Sequence, residues 1–421
     1  MVAFFDMMKS KQLVVIGGGA AGFFMAVNAA RMQPALQVTI LEKTGKLLSK
    51  VRISGGGRCN VTHACDDIVV MAQHYPRGAH FLKKAFHHFF TKDTIRWFGE
   101  REVKLKTEPD GRMFPVSDSS QSIVNCLMRE AERYDVKIQT HIAVKEIVTV
   151  DGSYQLVPEK GTPITADYVC VACGGFPRTD QFNWLTALGH TISDPVPSLF
   201  TFNMPDQRNI KNSLTALMGI SVPAAMVKVT GTRLGSVGPL LITHWGLSGP
   251  AVLRLSAWGA RELAERNYHF DILVNWIPAY TEHGLRAGWQ EIRQQHSGKK
   301  VSSGNPFDLP ARLWEYLLLE SNISADQRWD DLKAVQQNTL IQKLTMQSFP
   351  VKGKTTFKDE FVTAGGITLK EIDANTMQSK LHPGLFFAGE IMDVDGITGG
   401  FNFQHAWTSG WIAAKAVAGN F

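Results

Sequence analysis

Leu13-Val14-Val15-Ile16-Gly17-Gly18-Gly19-Ala20-Ala21-Gly22 decides the fold. Four apolar residues predict a short buried strand, and Gly17-x-Gly19-x-x-Gly22 follows at once. An alanine-rich helical stretch runs from Gly22 to Arg31. A second apolar strand, Gln37 to Leu41, ends on Glu42, twenty positions after the last glycine. Together these make a β-α-β unit for binding a dinucleotide. Gly17 allows the tight turn, Gly19 lets backbone approach a pyrophosphate, and Gly22 lets helix and strand pack closely. The helix N-terminus presents unpaired N–H groups and a partial positive charge to phosphates, with Ala20 and Ala21 as further candidate contacts. Glu42 would accept charge-assisted hydrogen bonds from a ribose diol, worth roughly 1.5–3 kcal/mol.

A chain of 421 residues is too long for one small core. Hydrophobic and charged contents of 44% and 19% fit a globular protein and argue against disorder. No apolar run reaches the length of about eighteen residues that a membrane span needs. The apolar Met1–Met8 contains Asp6 and lacks a basic flank or cleavage site, so it does not read as a signal peptide. Five cysteines fit reduced thiols in a cytoplasm better than a disulfide framework. The charge of +6 is spread out, with Lys43, Lys46, Lys50, Arg52 and Arg58 just after the nucleotide unit. Two phosphates on a cofactor account for that group. A nucleic-acid partner would need a denser basic stripe with interleaved aromatics and is not expected.

Lys43–Asn60 reads as a loop carrying Ser54-Gly55-Gly56-Gly57-Arg58-Cys59-Asn60. Three consecutive glycines cost conformational entropy and suit a backbone passing close to a flat ligand or phosphate. Residues 79–99 predict two short helices, with Phe81, Leu82, Ala85, Phe86 and Phe89 on a core face and Thr91 as a cap. Ser122–Tyr134 predicts an amphipathic helix. Lys137–Val150, Gly152–Pro158 and Thr165–Ala172 predict strands, the last buried in a parallel sheet and ending at Cys173-Gly174-Gly175. From Val196 the short alternating stretches separated by Gly and Pro predict an antiparallel sheet or barrel. Ser248-Gly249-Pro250 opens a helix to about Glu265, and Pro278–Met346 is strongly helical. Strand-like pieces at Val351–Lys358 and Phe361–Thr363 precede a last apolar strand, Gly384–Ala388, and Gly389-Glu390. The fold class is thus α/β. A Rossmann-like nucleotide domain (1–195 and 359–421) is interrupted by an antiparallel β-barrel (196–277 with 347–358) and a small helical domain (278–346).

Ser54 to Thr62, Thr243-His244-Trp245-Gly246-Leu247-Ser248-Gly249-Pro250, Ala388-Gly389-Glu390 with Asp393-Val394-Asp395-Gly396, and Thr398-Gly399-Gly400-Phe401-Asn402 with Gln404 resemble the bacterial flavoproteins usually called NAD(P)/FAD-dependent oxidoreductases. That family includes aminoacetone oxidase and proteins similar to dehydro-bile-acid reductases. The resemblance runs from about residue 11 to 418 and implies FAD, the three-part fold, and flavin redox chemistry. Glu390, after a buried strand, would then meet ribityl hydroxyls. Gly399 and Gly400 precede a helix from about Gln404 to Ala418, whose N-terminus would stabilise negative charge on a reduced flavin ring. Phe401 and Asn402 join them as contacts. Asp393 or Asp395 reaches the ribityl chain or caps its own turn. Val144, Ala172, Cys173 and Gly174 complete the candidate cofactor residues. The segment Cys173 to Gln181 departs from the family pattern, which carries further glycines there, whereas none follows Gly175. The substrate is therefore not carried over from a named member.

No metal site is expected. Cys170-x-x-Cys173 lies on a predicted buried strand, which favours a structural role. Cys59 and Cys65 occupy the place of a redox pair in flavin-linked disulfide reductases, but no second nucleotide unit accompanies them. His244 is the general acid–base candidate, with a structural histidine as the alternative. Arg112 faces the flavin or a substrate carboxylate, or pairs on the surface. The leading reading is an FAD-dependent oxidoreductase passing a hydride between flavin N5 and a small organic substrate, or a nicotinamide that docks transiently. Its rivals are a tRNA-modifying flavoprotein and a non-catalytic flavin redox sensor.

Overall fold

A computed structural model describes residues 10–205, 214–356 and 362–420. The apolar Met1–Met8 and the ends of the two strand-like pieces around residue 360 lie outside them. The chain divides into two compact units, Met1–Pro197 with Lys358–Phe421, and Ser198–Phe357.

In the first unit the apolar strand β1 (Gln12–Ile16) is followed by helix α1 (Ala20–Met32) and strand β2 (Gln37–Glu42). Strands β3 (Lys137–Thr140), β4 (Tyr168–Val171) and β5 (Leu385–Phe387) complete a five-stranded sheet in the order β5-β4-β1-β2-β3, parallel throughout. Every residue of β4 and β5 is buried, as expected of parallel strands covered on both faces. Helix α1 is buried from Ala21 to Ala30 and packs against the last helix, α2 (Phe401–Gly419). Phe24 of α1 meets Phe89, Trp97, Phe98 and Trp407, which makes the aromatic stripe of 79–99 core, as the sequence implied.

Several boundaries move. The predicted strand Lys137–Val150 is two strands. Its second half, Val144–Val150, leaves the parallel sheet for a three-stranded antiparallel one with Ser153–Pro158 and Ile164–Ala166. Asp167 separates Ile164–Ala166 from β4, its carboxylate accepting from Gln12 N at 2.7 Å. Thr91 is not a cap. Helix Thr91–Gly99 is capped at Phe90, whose N–H donates to Asp93 Oδ2 at 2.9 Å, and Thr91 Oγ1 is buried without a partner.

The second unit holds a seven-stranded antiparallel sheet. Its two end strands, Gln347–Lys352 and Lys354–Thr355, are arms of one segment bent at Gly353 (φ +105°). Gly353 N donates to Tyr268 O, and Gly353 O accepts from Asn203 N, so the ladder continues from one sheet end to the other through a single glycine. Helices Glu282–Gln295, Ala311–Glu320 and Ala334–Met346 lay Trp289, Trp314 and Leu340 into the same core as Val227 and Ile272 of the sheet. The helix from Pro250 breaks at Gly259, where a Cβ would fall 2.7 Å from Leu234. Among the described residues, no helix is long and apolar enough to cross a membrane.

A Cβ at Gly22 would stand 2.0 Å from Gly17 O, which is backbone and cannot give way. Gly22→Ala is therefore expected to lower the thermal midpoint by roughly 5–10 °C in a calorimetric scan. An unchanged midpoint would contradict the close helix–strand packing.

Candidate functional site

Because β1, β2, β4 and β5 run the same way, their carboxyl ends share one edge of the sheet. Gly17 follows β1, Glu42 ends β2, Ala172-Cys173-Gly174 follow β4, and Gly389-Glu390 follow β5. Gly17 (φ +117°) is obligatory, since a Cβ there would lie 2.4 Å from Ala172 O. At Gly19 the surroundings are open, with nothing within 4 Å of a Cβ. Gly19 also caps α1 without any side-chain hydrogen bond, so the first-turn N–H groups face the crevice unclaimed by a cap. Glu42 is held by three donors: Gly18 N on Oε2, and Thr44 N and Oγ1 on Oε1, each at 2.9 Å.

Glu390 lies between two donors, Lys50 Nζ at 2.6 Å and Thr363 N at 2.9 Å. A Cβ at Gly175 would fall 2.6 Å from Thr363 Oγ1 and 3.1 Å from Glu390 Oε1. Thr363 Oγ1 is buried and has no hydrogen-bond partner. Open space at Gly19, unpaired helix N–H groups and an orphaned hydroxyl beside a fixed carboxylate fit a bound dinucleotide at this edge.

The segment read as a loop is half helical. Ser49–Gly57 turns as a helix until Ser54 (ψ 148°), where it kinks, and Gly55, Gly56 and Gly57 take φ of 59°, 68° and 83°. A Cβ at Gly55 would strike Phe114 at 2.8 Å, whereas Gly56 and Gly57 border open space. Ser54 Oγ donates to Val51 O. Arg58 is engaged elsewhere: it pairs with Glu108 at 2.6 Å and Asp118 at 3.6 Å and covers the Phe114 ring at 4.0 Å. Cys59 is fully buried, which pushes its thiol up to about 12. The Asn60 amide, oriented to pair both ends, donates to Thr62 O and accepts from Gly400 N, each at 3.0 Å.

From Gly389 to Gly400 the backbone is held by side chains from other elements. Asn402 Nδ2 donates to Gly396 O at 2.9 Å, and its Oδ1 accepts from Gly396 N at 2.8 Å. Both ends of that amide thus close the loop, leaving one N–H and one lone pair over. Phe401 is a core side chain, 1% exposed, and packs on the rings of His63 at 4.7 Å and His74 at 4.5 Å. His63 Nδ1 lies 3.1 Å from Gly399 O, and burial lowers the pKa of its ring. Asp395 is buried in an ion pair with Arg77, while Asp393 N donates to Ile367 O at 3.0 Å. Gly399 and Gly400 have no room for side chains, since a Cβ at Gly400 would lie 2.5 Å from Thr62 O. His405 Nε2 lies 3.1 Å from Gly389 O.

Other candidates belong to other elements. His244 is exposed in the turn Thr243–Gly246 of the second unit, its ring 4.2 Å from that of Trp245. Arg112 pairs with Asp110 at 2.7 Å and Glu108 at 3.2 Å. Val144 opens the small antiparallel sheet, half-buried. All five cysteines are free. Burial raises Cys170 and Cys173, the latter to about 12, so neither is a thiolate near neutrality. The sequence reading missed Thr363, His63, Arg77, His405 and Ser409; none carries a local motif, and only the fold brings them to these glycines.

The geometry defines a dinucleotide-binding α/β protein. The chain belongs to the HI0933-like protein Rossmann domain family, whose sequence pattern matches residues 11–416. It is 28% identical to 3-dehydro-bile acid delta(4,6)-reductase of Clostridium scindens, covering 96% of this chain and 98% of the relative. It is 29% identical to the ribosomal RNA dihydrouridine synthase of Escherichia coli, covering 97% and 98%. Among solved structures it is similar to 3-ketosteroid-delta4-(5alpha)-dehydrogenase of Rhodococcus jostii (TM-score 0.52, 13% identity, 99% of both chains). A second is 3-ketosteroid delta1-dehydrogenase of Sterolibacterium denitrificans (TM-score 0.51, 13% identity, 97% of this chain and 99% of that one). At those identities the structural likeness is one of fold.

His405 is fully buried, and its imidazole is pulled down from 6.5 to about 4 by desolvation. It is therefore neutral in the native protein, whereas an unfolded chain's histidine takes up a proton below about 6.5. This contribution to stability is present above that range and is lost as pH falls toward 4. His405→Gln is expected to flatten the fall in thermal midpoint between pH 6.5 and 4 relative to wild type. Parallel curves would contradict the burial of a neutral imidazole.

Proposed function

We propose that this protein is an FAD-dependent oxidoreductase acting on a carbon–carbon double bond conjugated to a carbonyl. The observation that carries the reading is the cradle at the sheet edge: open Gly19, the uncapped α1 N-terminus, the fixed Glu42 carboxylate and the orphaned Thr363 hydroxyl. FAD held there supplies hydride exchange at flavin N5. The chain's own part is orientation and electrostatics. The α1 N-terminus faces the pyrophosphate, Glu42 the adenosine ribose, and Glu390 the ribityl chain, its charge balanced by Lys50. The α2 N-terminus at Gly400 offers N–H groups where charge develops on reduction.

The substrate class is supported by what the relatives' names have in common. A 3-dehydro bile acid with delta(4,6) unsaturation has its double bonds conjugated to a ketone. A dihydrouridine is a uridine whose 5,6 double bond, conjugated to the C4 carbonyl, has been saturated. Conjugation makes the end of such a double bond remote from the carbonyl electrophilic, so its saturation would place a hydride there and a proton on the neighbouring carbon. His244 and Arg112 remain our candidates for proton transfer and carboxylate binding, and a transiently docked nicotinamide for the electron source.

A second reading takes the double bond in an RNA pyrimidine. Residues 74–92 contain no Asp or Glu, and Lys84, His87, His88 and Lys92 are exposed there. The fold brings Trp411 onto Phe89 (5.3 Å between rings) with Lys415 5.3 Å from the Trp411 ring, which supplies an aromatic next to the basic face.

Purified protein should be yellow and bleach anaerobically with NADH or NADPH, then recolour on addition of a conjugated enone. Glu42→Ala should weaken FAD binding about tenfold or more. Retention of FAD at wild-type affinity in that variant, or a colourless protein that refuses FAD, would contradict the reading. RNA binding that falls steeply with salt and is lost in Lys84→Ala/Lys92→Ala would favour the RNA substrate, and its absence would remove it.

A further inference from the structure

Gly389 sits where β5 ends and is enclosed on two sides. Its φ of +74° suits glycine, and a Cβ there would meet Ala21 of α1 at 2.8 Å. From α2, Ser409 Oγ accepts from Gly389 N at 2.9 Å, and His405 Nε2 lies 3.1 Å from Gly389 O. Ser409 Oγ in turn donates to His405 O at 2.7 Å. The two residues are four apart and so share one face of the helix. They are 2% and 0% exposed. Since Nε2 faces a carbonyl it carries the proton, which leaves Nδ1 as a bare acceptor; that atom is buried with no partner. A core that only needed filling would take an apolar residue here without an orphaned nitrogen. On either side of Gly389, Ala388 N donates to Val171 O of β4, and the Glu390 carboxylate meets Lys50 and Thr363.

We infer that His405 and Ser409 are positioning residues that grip both polar groups of Gly389 and thereby aim Glu390 at the cofactor. The inference rests on the reading that the crevice holds FAD. Neither side chain touches the cofactor; both act through the Gly389 backbone. The requirement is geometric: a donor at the distance of Nε2 and an acceptor one turn further along the helix. A glutamine amide reaches the Nε2 position, whereas an asparagine amide stops short of it.

The test is FAD titration of the stripped full-length protein, followed by flavin fluorescence and by the visible bands of the bound flavin. His405→Gln should bind FAD within about threefold of wild type, while His405→Asn and Ser409→Ala should weaken it about tenfold and shift the flavin bands. If Gln and Asn behave alike, or if Ser409→Ala keeps wild-type affinity and spectrum, the clamp does not exist. Should His405→Asn fail to fold, the contrast between His405→Gln and Ser409→Ala decides the matter. Wild-type protein that takes up no FAD would instead strike at the proposed function. Amide exchange at Gly389 and Glu390 then tests the clamp alone: faster in Ser409→Ala supports it, and unchanged overturns it.

Discussion

The close approach of helix α1 to the end of strand β1 is the constraint on which the crevice depends. It is possible only because Gly22 stands over Gly17 O and Gly17 stands against Ala172 O, each too close for a side chain. With the two elements in contact, the helix N-terminus is delivered to the same edge where β2, β4 and β5 end. Ala21 then serves two neighbours. It lies against Gly389, and its carbonyl lies 2.8 Å from where a Cβ would sit on Gly410 of α2. Small residues thus let α2 pack onto α1 and bring Gly399 and Gly400 into register with the first glycine cluster.

A second constraint governs the stretch from Gly389 to Gly400, which has little regular structure and many buried backbone groups. An unpaired buried group costs about 1–3 kcal/mol, more than a made hydrogen bond contributes net. The chain meets this with side chains: Ser409 and His405 at Gly389, Asn402 at Gly396, His63 at Gly399 and Asn60 at Gly400. Gln404 joins the start of α2 to its surroundings, accepting from Thr62 Oγ1 at 2.6 Å and Thr94 Oγ1 at 3.0 Å. A loop fixed in this way need not be ordered by its ligand, so binding energy is not spent on arranging it.

What the sequence made legible was what glycines dictate locally. Gly17-x-Gly19-x-x-Gly22 and Glu42 fixed the β-α-β unit because strand, turn and helix are contiguous there. Thr165–Ala172 and Gly384–Ala388 read as apolar strands, the first in the parallel sheet, although Thr165 and Ala166 pair in the small antiparallel one. Residues beside glycine motifs have structural partners that their spacing does not show. Beside the ligand contacts expected of them, Asn402 closes a loop onto Gly396 and Phe401 packs on the rings of His63 and His74, more than three hundred residues away in sequence. Arg58, expected beside the ligand, is met by Glu108 and Phe114. The half-helix ending at Ser54 escaped notice because three glycines mask the helical turns before them.

The structure of the FAD-loaded protein is the most direct test. The pyrophosphate is expected against Gly17–Gly22, the adenosine ribose on Glu42, and the backbone from Gly389 to Gly400 within about 1 Å of its position here. Flavin bound elsewhere, or a loop that must refold to admit it, would contradict a crevice built in advance by glycine packing and side-chain clamps.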